Sequence, residues 1–380
     1  MPRIKTLAAA VTTLLTTAAG LPQPSPPSVA IRVTFDSARV TRVDARGVGA
    51  DDPVRVASIS KLVTALGVMR LVEAGVLDLD ADVSRWLGFP LRNPAFPDVP
   101  ITLRLLLSHR SGLKDDVDYA LPLGTTLAEA LADPKAWDAE HPPGSYFRYA
   151  NLGFPVVATV MEAATGTRFD ALMERIVFQP LALDACFNWT QCSDAAIARA
   201  VVLRDDKGGV RRDDLGGKRP PCPAVPARDG SCDLAGYRLG TNGALFSPQG
   251  GVRISARGLA RIGQLLLRRG ETFLTPASID LLVAPVWTFD GGNGETEKGF
   301  YCRYGLSVQH LATPASGCAD DPFGDGRARF GHAGEAYGLR SGLWVDPARR
   351  KGVAYFVTAV PDDGPRGRSA FTVAEEALAR

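Results

Sequence analysis

The sequence predicts an α+β fold: one antiparallel sheet built from both ends of the chain, flanked by helices, with a mostly helical region inserted between. Three observations lead there. Val29 to Phe35 and Arg39 to Val43 alternate apolar and polar residues around a turn at Asp36-Ser37-Ala38, the period of a half-buried hairpin. Four strand-like runs, Tyr304 to His310, Ala328 to His332, Leu339 to Val345 and Gly352 to Val360, are separated by Gly, Asp and Pro turns near the other end. Between the two sets the periodicity is helical, and strands at both termini around helices are most simply gathered into one sheet.

The first helix begins near Ser58. From Ile59 to Val72 the only strongly polar side chains are Ser60, Lys61, Thr64 and Arg70, so the helix is apolar almost all round and belongs inside the fold. Ser58 stands at its start and Lys61 one turn on, along the same face. A buried lysine loses preference for its charged form and can then accept a proton from a serine. The plain alternative is a serine cap with a surface lysine. Ser111 and Lys114 repeat the spacing, but Gly112 between them and Asp115 and Asp116 after them place that pair in a loop.

After Gly75 a proline-punctuated stretch carries a short helix near Val83 to Leu87. Ile101 to His109 follows as a helix with Thr102 as its cap and Gly112 past its end. Thr126 to Ala132, Phe154 to Ala164, Ala256 to Leu267, Pro276 to Leu282 and Ala370 to Ala379 read as further helices. From about 186 to 245 the pattern breaks into glycines, prolines and charges, a long surface excursion. The domain therefore runs over 29–380, with the sheet drawn from about 29–75 and 290–380 and the helical part from about 76–289.

The chain has 380 residues, 46% hydrophobic and 22% charged, enough for a sizeable core. Its 43 basic and 41 acidic residues are interspersed, which argues against a nucleic-acid footprint or a polybasic membrane patch. Residues 1–20 have the charged start and short apolar run of a secretory signal, with a hydrophobic anchor as the alternative, and 21–28 form a proline-rich leader. No later segment is long enough to span a membrane. A secreted or periplasmic location follows, and in it Cys186, Cys192, Cys222, Cys232, Cys302 and Cys318 read as disulfides joining nearest neighbours. The cysteine spacings do not match a zinc site, and His109, His141, His310 and His332 are scattered, so no metal and no cofactor is expected.

Two further motifs stand out. Tyr149-Ala150-Asn151 precedes the helix near Phe154 and sends two polar side chains to one side; a packed tyrosine is the plainer reading of Tyr149. Gly331-His332-Ala333-Gly334 lies at the end of an expected strand, where glycine permits close approach to a ligand. Ser58-x-x-Lys61, Tyr149-x-Asn151 and His332-Ala333-Gly334, in this order, resemble the motifs of the penicillin-recognising serine hydrolases, which include class C β-lactamases, serine D,D-carboxypeptidases, D-aminopeptidases and related esterases. Ile101 to Leu113 and Gly250 to Ala256 resemble flanking text of that family. The likeness runs from about residue 29 to the C-terminus.

The resemblance implies a β-lactamase/transpeptidase-like fold and acyl-serine chemistry. Ser58 would attack a carbonyl, Lys61 and Tyr149 would move the proton, and Asn151 would hold Lys61 and the substrate amide. The backbone N–H groups of Ser58 and Glu335, beside Gly334, would meet the oxyanion. His332 stands where many members have lysine, so a substrate carboxylate would be held by a weaker charge that titrates near about 6.5. This favours a peptidase or esterase over a β-lactamase. The Glu335 carboxylate would repel an anionic substrate unless it points away. A helix usual before the first strand has too little chain between the signal and Val29.

The leading expectation is an exported serine hydrolase acting on a small-molecule or peptide substrate, with D-alanyl peptides first. A small-ester hydrolase or β-lactamase is the alternative on the same scaffold, and a catalytically silent wall-peptide-binding protein is the alternative of another class. The sequence leaves the oligomeric state open. His109 reads as structural, and no function attaches to the glycosylation-like Asn188-Trp189-Thr190.

Overall fold

The computed structural model describes residues 28–380. The expected signal, nearly all of the proline-rich leader and any helix ahead of the first strand lie outside the described residues. The strands of the main sheet are β1 (Ala30–Asp36), β2 (Val40–Arg46), β3 (Trp287–Thr288), β4 (Arg303–Tyr304), β5 (Gln309–Leu311), β6 (Arg329–Ala336), β7 (Leu339–Asp346) and β8 (Lys351–Val357). They lie in the order β2-β1-β8-β7-β6-β5-β4-β3, antiparallel throughout. The first strand and the last are neighbours, with Ala30 opposite Val357, so both chain ends build the sheet centre.

Each face of this sheet is covered. Ile31, Val33 and Phe35 of β1, Leu343 and Val345 of β7, and Ala354 and Phe356 of β8 join the main core with the helix Ala256–Leu267. The intervening Trp344, Val353, Tyr355 and Val357 face a smaller core closed by Phe371 and Leu378, the latter on the C-terminal helix Val373–Ala379. Alternate residues thus serve two apolar layers, and β7 is buried at every position. The helix lies close to the sheet at Gly263, where a Cβ would come 2.2 Å from the Phe35 ring.

Several element limits differ from those expected, each for a local reason. Tyr304 to His310 is a hairpin: Ser307 takes φ +58 and the Gly305 N–H bonds the Val308 carbonyl, folding β5 back on β4. The strand expected to end at His332 continues to Ala336, which places His332-Ala333-Gly334 inside β6. The helix after Thr102 covers only Leu103–Leu107, capped by the Thr102 hydroxyl as expected, and His109 turns the chain away with φ +56. The excursion is partly packed. Cys186, Trp189 and Cys192 are buried in a small cluster, and Cys186–Phe187 pairs with the strand Val252–Ile254.

Replacing Leu343, fully buried between β7 and the helix, by Ala is expected to cost about 2–5 kcal/mol. Val43→Ala on the exposed strand β2, where Val43 is 39% exposed, should stay within about 0.5 kcal/mol. Urea unfolding of the two variants checks the assignment of the covered and open parts of the sheet.

Candidate active site

Ser58 is the N-cap of the helix Ile59–Glu73, and the chain reaches it through Ala57 at φ +48, a sharp turn for a residue with a side chain. Ser58 is partly exposed, whereas Ser60, Lys61 and Thr64 are fully buried. All three buried polar groups bond to one crossing segment. The Ser60 hydroxyl accepts from the Val252 N–H at 3.0 Å, Thr64 donates to the Pro248 carbonyl at 3.0 Å, and Lys61 Nζ donates to the Gln249 carbonyl at 3.1 Å. Lys61 Nζ also lies 3.1 Å from Ser58 Oγ and 2.8 Å from Asn151 Oδ1. The serine, the lysine and the amide therefore meet.

Burial lowers the Lys61 pKa to about 7, against the pull of the Asp115 and Glu297 carboxylates, so near neutrality a large share of its amine is unprotonated. A neutral amine 3.1 Å from Ser58 Oγ can take the hydroxyl proton. Burial pushes the Tyr149 phenol the other way, well above its ordinary value, although the nearby Ser58 hydroxyl partly offsets this. The Tyr149 hydroxyl faces Ser58 without completing a hydrogen bond, and its ring lies 4.7 Å below Lys61 Nζ. It is a protonated group with a proton to give.

The sequence pointed to Tyr149 but not to what holds it. Tyr301 stacks on its ring at 4.5 Å and 12°, and the His109 imidazole lies 4.3 Å away on a tilt. His109 Nδ1 accepts from the Ala150 N–H at 3.1 Å, and burial, with Lys61 nearby, holds the imidazole neutral. Asp115 is a second omission: its carboxylate binds Asn151 and Leu152. Its signal was an aspartate after Ser111-Gly112-Leu113-Lys114, read only as a loop charge. Nothing in the chain around Tyr301 marked it.

Strand β6 closes the other side. A Cβ on Gly334 would come 2.3 Å from the Val56 carbonyl oxygen, so glycine there lets the strand lie against the residues leading to Ser58. His332 stands inside β6 and not at the strand end where its motif was expected. Its side chain is fully buried and does not line the cleft. Nδ1 lies 2.5 Å from the Ala333 carbonyl, which can only accept, so Nδ1 carries the proton and Nε2 accepts from the Tyr304 hydroxyl at 2.7 Å. Burial and the Lys61 charge lower its pKa to about 3. This histidine is neutral and cannot supply charge to a substrate carboxylate. Glu335 extends along β6, and its carboxylate pairs with the buried Arg340 guanidinium at 2.8 Å.

These residues open onto a cleft of about 1390 Å³. The excursion supplies one wall. Asp213 accepts from Trp189 Nε1 at 2.9 Å and pairs with Arg253 at 2.8 Å and Arg55 at 3.6 Å. The cysteines are joined as Cys186–Cys192, Cys222–Cys232 and Cys302–Cys318, and Cys222 lies on the cleft. Asn188 is buried and bonded to Arg253, which leaves it unavailable to a glycan in the folded chain. Among the described residues no three His, Cys, Asp or Glu side chains are grouped to hold a metal ion, and no helix is long and apolar enough to cross a membrane.

The fold is of the β-lactamase/transpeptidase-like class. The chain belongs to the Beta-lactamase family, whose sequence profile matches residues 11–378. Penicillin-binding protein 4* of Bacillus subtilis (strain 168) is 28% identical over 137 residues, 34% of this chain and 29% of that protein. Esterase EstB of Burkholderia gladioli is 33% identical over 157 residues, 36% of this chain and 38% of its own. The matched part of the chain thus spans about a third of the length of these relatives. A D-stereospecific amidohydrolase from Streptomyces sp. shares the fold with a TM-score of 0.61 and 20% identity, over 87% of this chain and 88% of that one.

The neutral His332 has three measurable consequences. Its ring NMR signals should not shift between pH 5 and 8, and affinity for a carboxylate-bearing substrate should gain nothing from His332 protonation there; a His332 signal titrating near about 6.5 would restore the charged role. Because its folded pKa is depressed, its contribution to stability is fully present above about 6.5 and is lost as pH falls toward about 3. His332→Gln should flatten that part of the stability profile.

Proposed function

We propose that the protein is an exported hydrolase that cleaves an amide or ester bond through an acyl-serine intermediate on Ser58. One observation carries this reading: a fully buried lysine with a pKa near 7, 3.1 Å from a serine hydroxyl that opens onto a large cleft. As Ser58 Oγ bonds to the carbonyl carbon, its proton passes to the Lys61 amine. The backbone N–H groups of Ser58 and Glu335 meet the carbonyl oxygen as it becomes negative. Tyr149 gives its proton to the departing nitrogen or oxygen as the bond breaks and is reprotonated from Lys61. Water then attacks the acyl ester, losing its proton to the same base, and Ser58 Oγ recovers a proton. The signal-like N-terminus and three disulfides support export into an oxidising compartment.

For the substrate, the neutral His332 changes the balance between readings. A D-alanyl peptide ends in a carboxylate, and that charge would be met by another cation lining the cleft, such as Lys298, Arg366 or Arg368. An ester or an amide without a terminal carboxylate needs none of these. The named relatives include an esterase and a D-stereospecific amidohydrolase, and both support the wider reading.

The test is the intact mass of the mature protein after incubation with penicillin or a p-nitrophenyl ester, alongside Ser58→Ala. The parent protein should gain the acyl mass or turn the compound over, and Ser58→Ala should do neither while remaining folded. Equal behaviour of the two proteins across esters, D-amino-acid amides and penicillin would sink the reading and leave a binding protein. A preference for D-alanyl peptides over their carboxamides, lost in Arg366→Ala or Arg368→Ala, would select the carboxypeptidase. With Lys61 as the base, kcat/KM should rise with pH through about 7 as the amine loses its proton.

A further inference from the structure

Asp115 reaches the site from the loop that follows the helix Leu103–Leu107 and accepts four hydrogen bonds. The Asn151 N–H donates to both carboxylate oxygens at 2.8 Å, the Leu152 N–H to Oδ1 at 2.9 Å, and Asn151 Nδ2 to Oδ2 at 2.9 Å. At its other end Asn151 turns Oδ1 to Lys61 Nζ, 2.8 Å away. The oxygen and nitrogen of an amide have nearly the same shape, so sterics alone would allow either to face the lysine. A carboxylate can only accept and an ammonium can only donate. With Nδ2 toward Asp115 and Oδ1 toward Lys61 both demands are met, and the flipped amide would set donor against donor and acceptor against acceptor.

We propose that Asp115 is a positioning residue: by holding the Asn151 amide in one of its two orientations it aims an acceptor at Lys61 and thereby sets how tightly that lysine keeps its proton. The effect on rate rests on the acyl-serine reading above; the effect on Lys61 does not. Asp115 is itself open to the cleft and needs no burial to act, because all three donors sit on one short turn. The other groups that face Lys61 are Glu297, whose carboxylate also favours the ammonium, and Tyr149, His109 and His332, which burial keeps uncharged. Asp115 is the one among them that also controls a direct ligand of Nζ.

Asp115→Asn keeps the size of the side chain and inverts its chemistry. The new amide can donate to Asn151 Oδ1, which turns Asn151 Nδ2 toward Lys61. Asp115→Ala removes the same charge without enforcing the flip. The measurement is the titration of Lys61 by 13C NMR in protein labelled at the lysine Cε, with Lys61→Met to assign the signal. Lys61 should lose its proton at lower pH in Asp115→Asn than in the parent, with Asp115→Ala between them. In the same order the acid limb of kcat/KM should move to lower pH, and its plateau should fall about tenfold to a hundredfold in Asp115→Asn, the scale seen for residues that orient metal ligands. Equal shifts in the two variants would reduce Asp115 to a bare charge and overturn the orientation role. An unmoved Lys61 titration with a lowered melting temperature would make Asp115 structural only. If Asp115→Asn does not fold, the shift of Lys61 caused by Asp115→Ala should shrink in an Asn151→Ala background, where there is no amide to orient; an undiminished shift there overturns the proposal. A parent protein that hydrolyses nothing while Lys61 shifts as expected would remove the acyl-serine reading and leave this one standing.

Discussion

The interaction on which the site depends is the burial of one amine among three oxygens drawn from distant parts of the chain. Lys61 Nζ meets Ser58 on its own helix, Asn151 ahead of the helix Gly153–Thr165, and the Gln249 carbonyl on the segment before the strand Val252–Ile254. An ammonium taken out of water loses several kcal/mol of hydration that fixed dipoles only partly return. That deficit is what brings its pKa to about 7, and it requires all three elements to be packed before the lysine acquires its chemistry. Folding and basicity are therefore one property here. The same helix buries Ser60 and Thr64 against the same crossing segment, so the position of the Gln249 carbonyl is fixed from both sides of Lys61.

The surroundings keep this amine as the group that changes charge near neutrality. His109 and His332 are both buried and both feel the Lys61 charge, which disfavours a second cation beside it. Each uses a ring nitrogen for a hydrogen bond that suits the neutral form, His109 by accepting from Ala150 and His332 by accepting from Tyr304. The two imidazoles thus act as polar packing around Tyr149 and β6. Opposing them, Asp115 and Glu297 favour the ammonium. The pKa near 7 is the resultant of a large burial effect and a smaller field from carboxylates at the cleft edge.

Much of this was legible in the sequence, because it depended on local spacing. The helix after Ser58 showed itself as an apolar run broken by Ser60, Lys61 and Thr64, and those are the residues with internal partners. The hairpin near the N-terminus showed its period because β2 is exposed on the sheet edge. Of the central strands, β7 was delimited to within one residue, whereas β8 ends at Val357, three residues before the expected Val360. Covered on both faces, β7 is buried at every position and β8 over its last five, so neither shows a clean two-residue alternation. The motif around His332 was placed at a strand end, and the strand runs on to Ala336. Asp115 and Tyr301 act through contacts across 36 residues and across 152, to Asn151 and Tyr149, and no local pattern encodes such distances.

The excursion shows the same limit from the opposite direction. Its glycines and charges read as a surface loop, yet one of those charges is part of the interior. Burial pushes the Asp213 carboxyl up, but Arg253 and Arg55 outweigh it and hold its pKa at about 2, and Trp189 adds a hydrogen bond. Arg55 lies three residues before Ser58, and Arg253 lies four residues after Gln249, whose carbonyl binds Lys61. The wall of the cleft is thereby anchored to the two segments that position Ser58 and Lys61. Removing Asp213 alone would leave two guanidinium groups facing each other in a poorly hydrated place, which is costlier than losing an exposed ion pair. The cleft wall, Ser58 and Lys61 are therefore mechanically continuous, and a change in the excursion can reach Ser58 through Arg55.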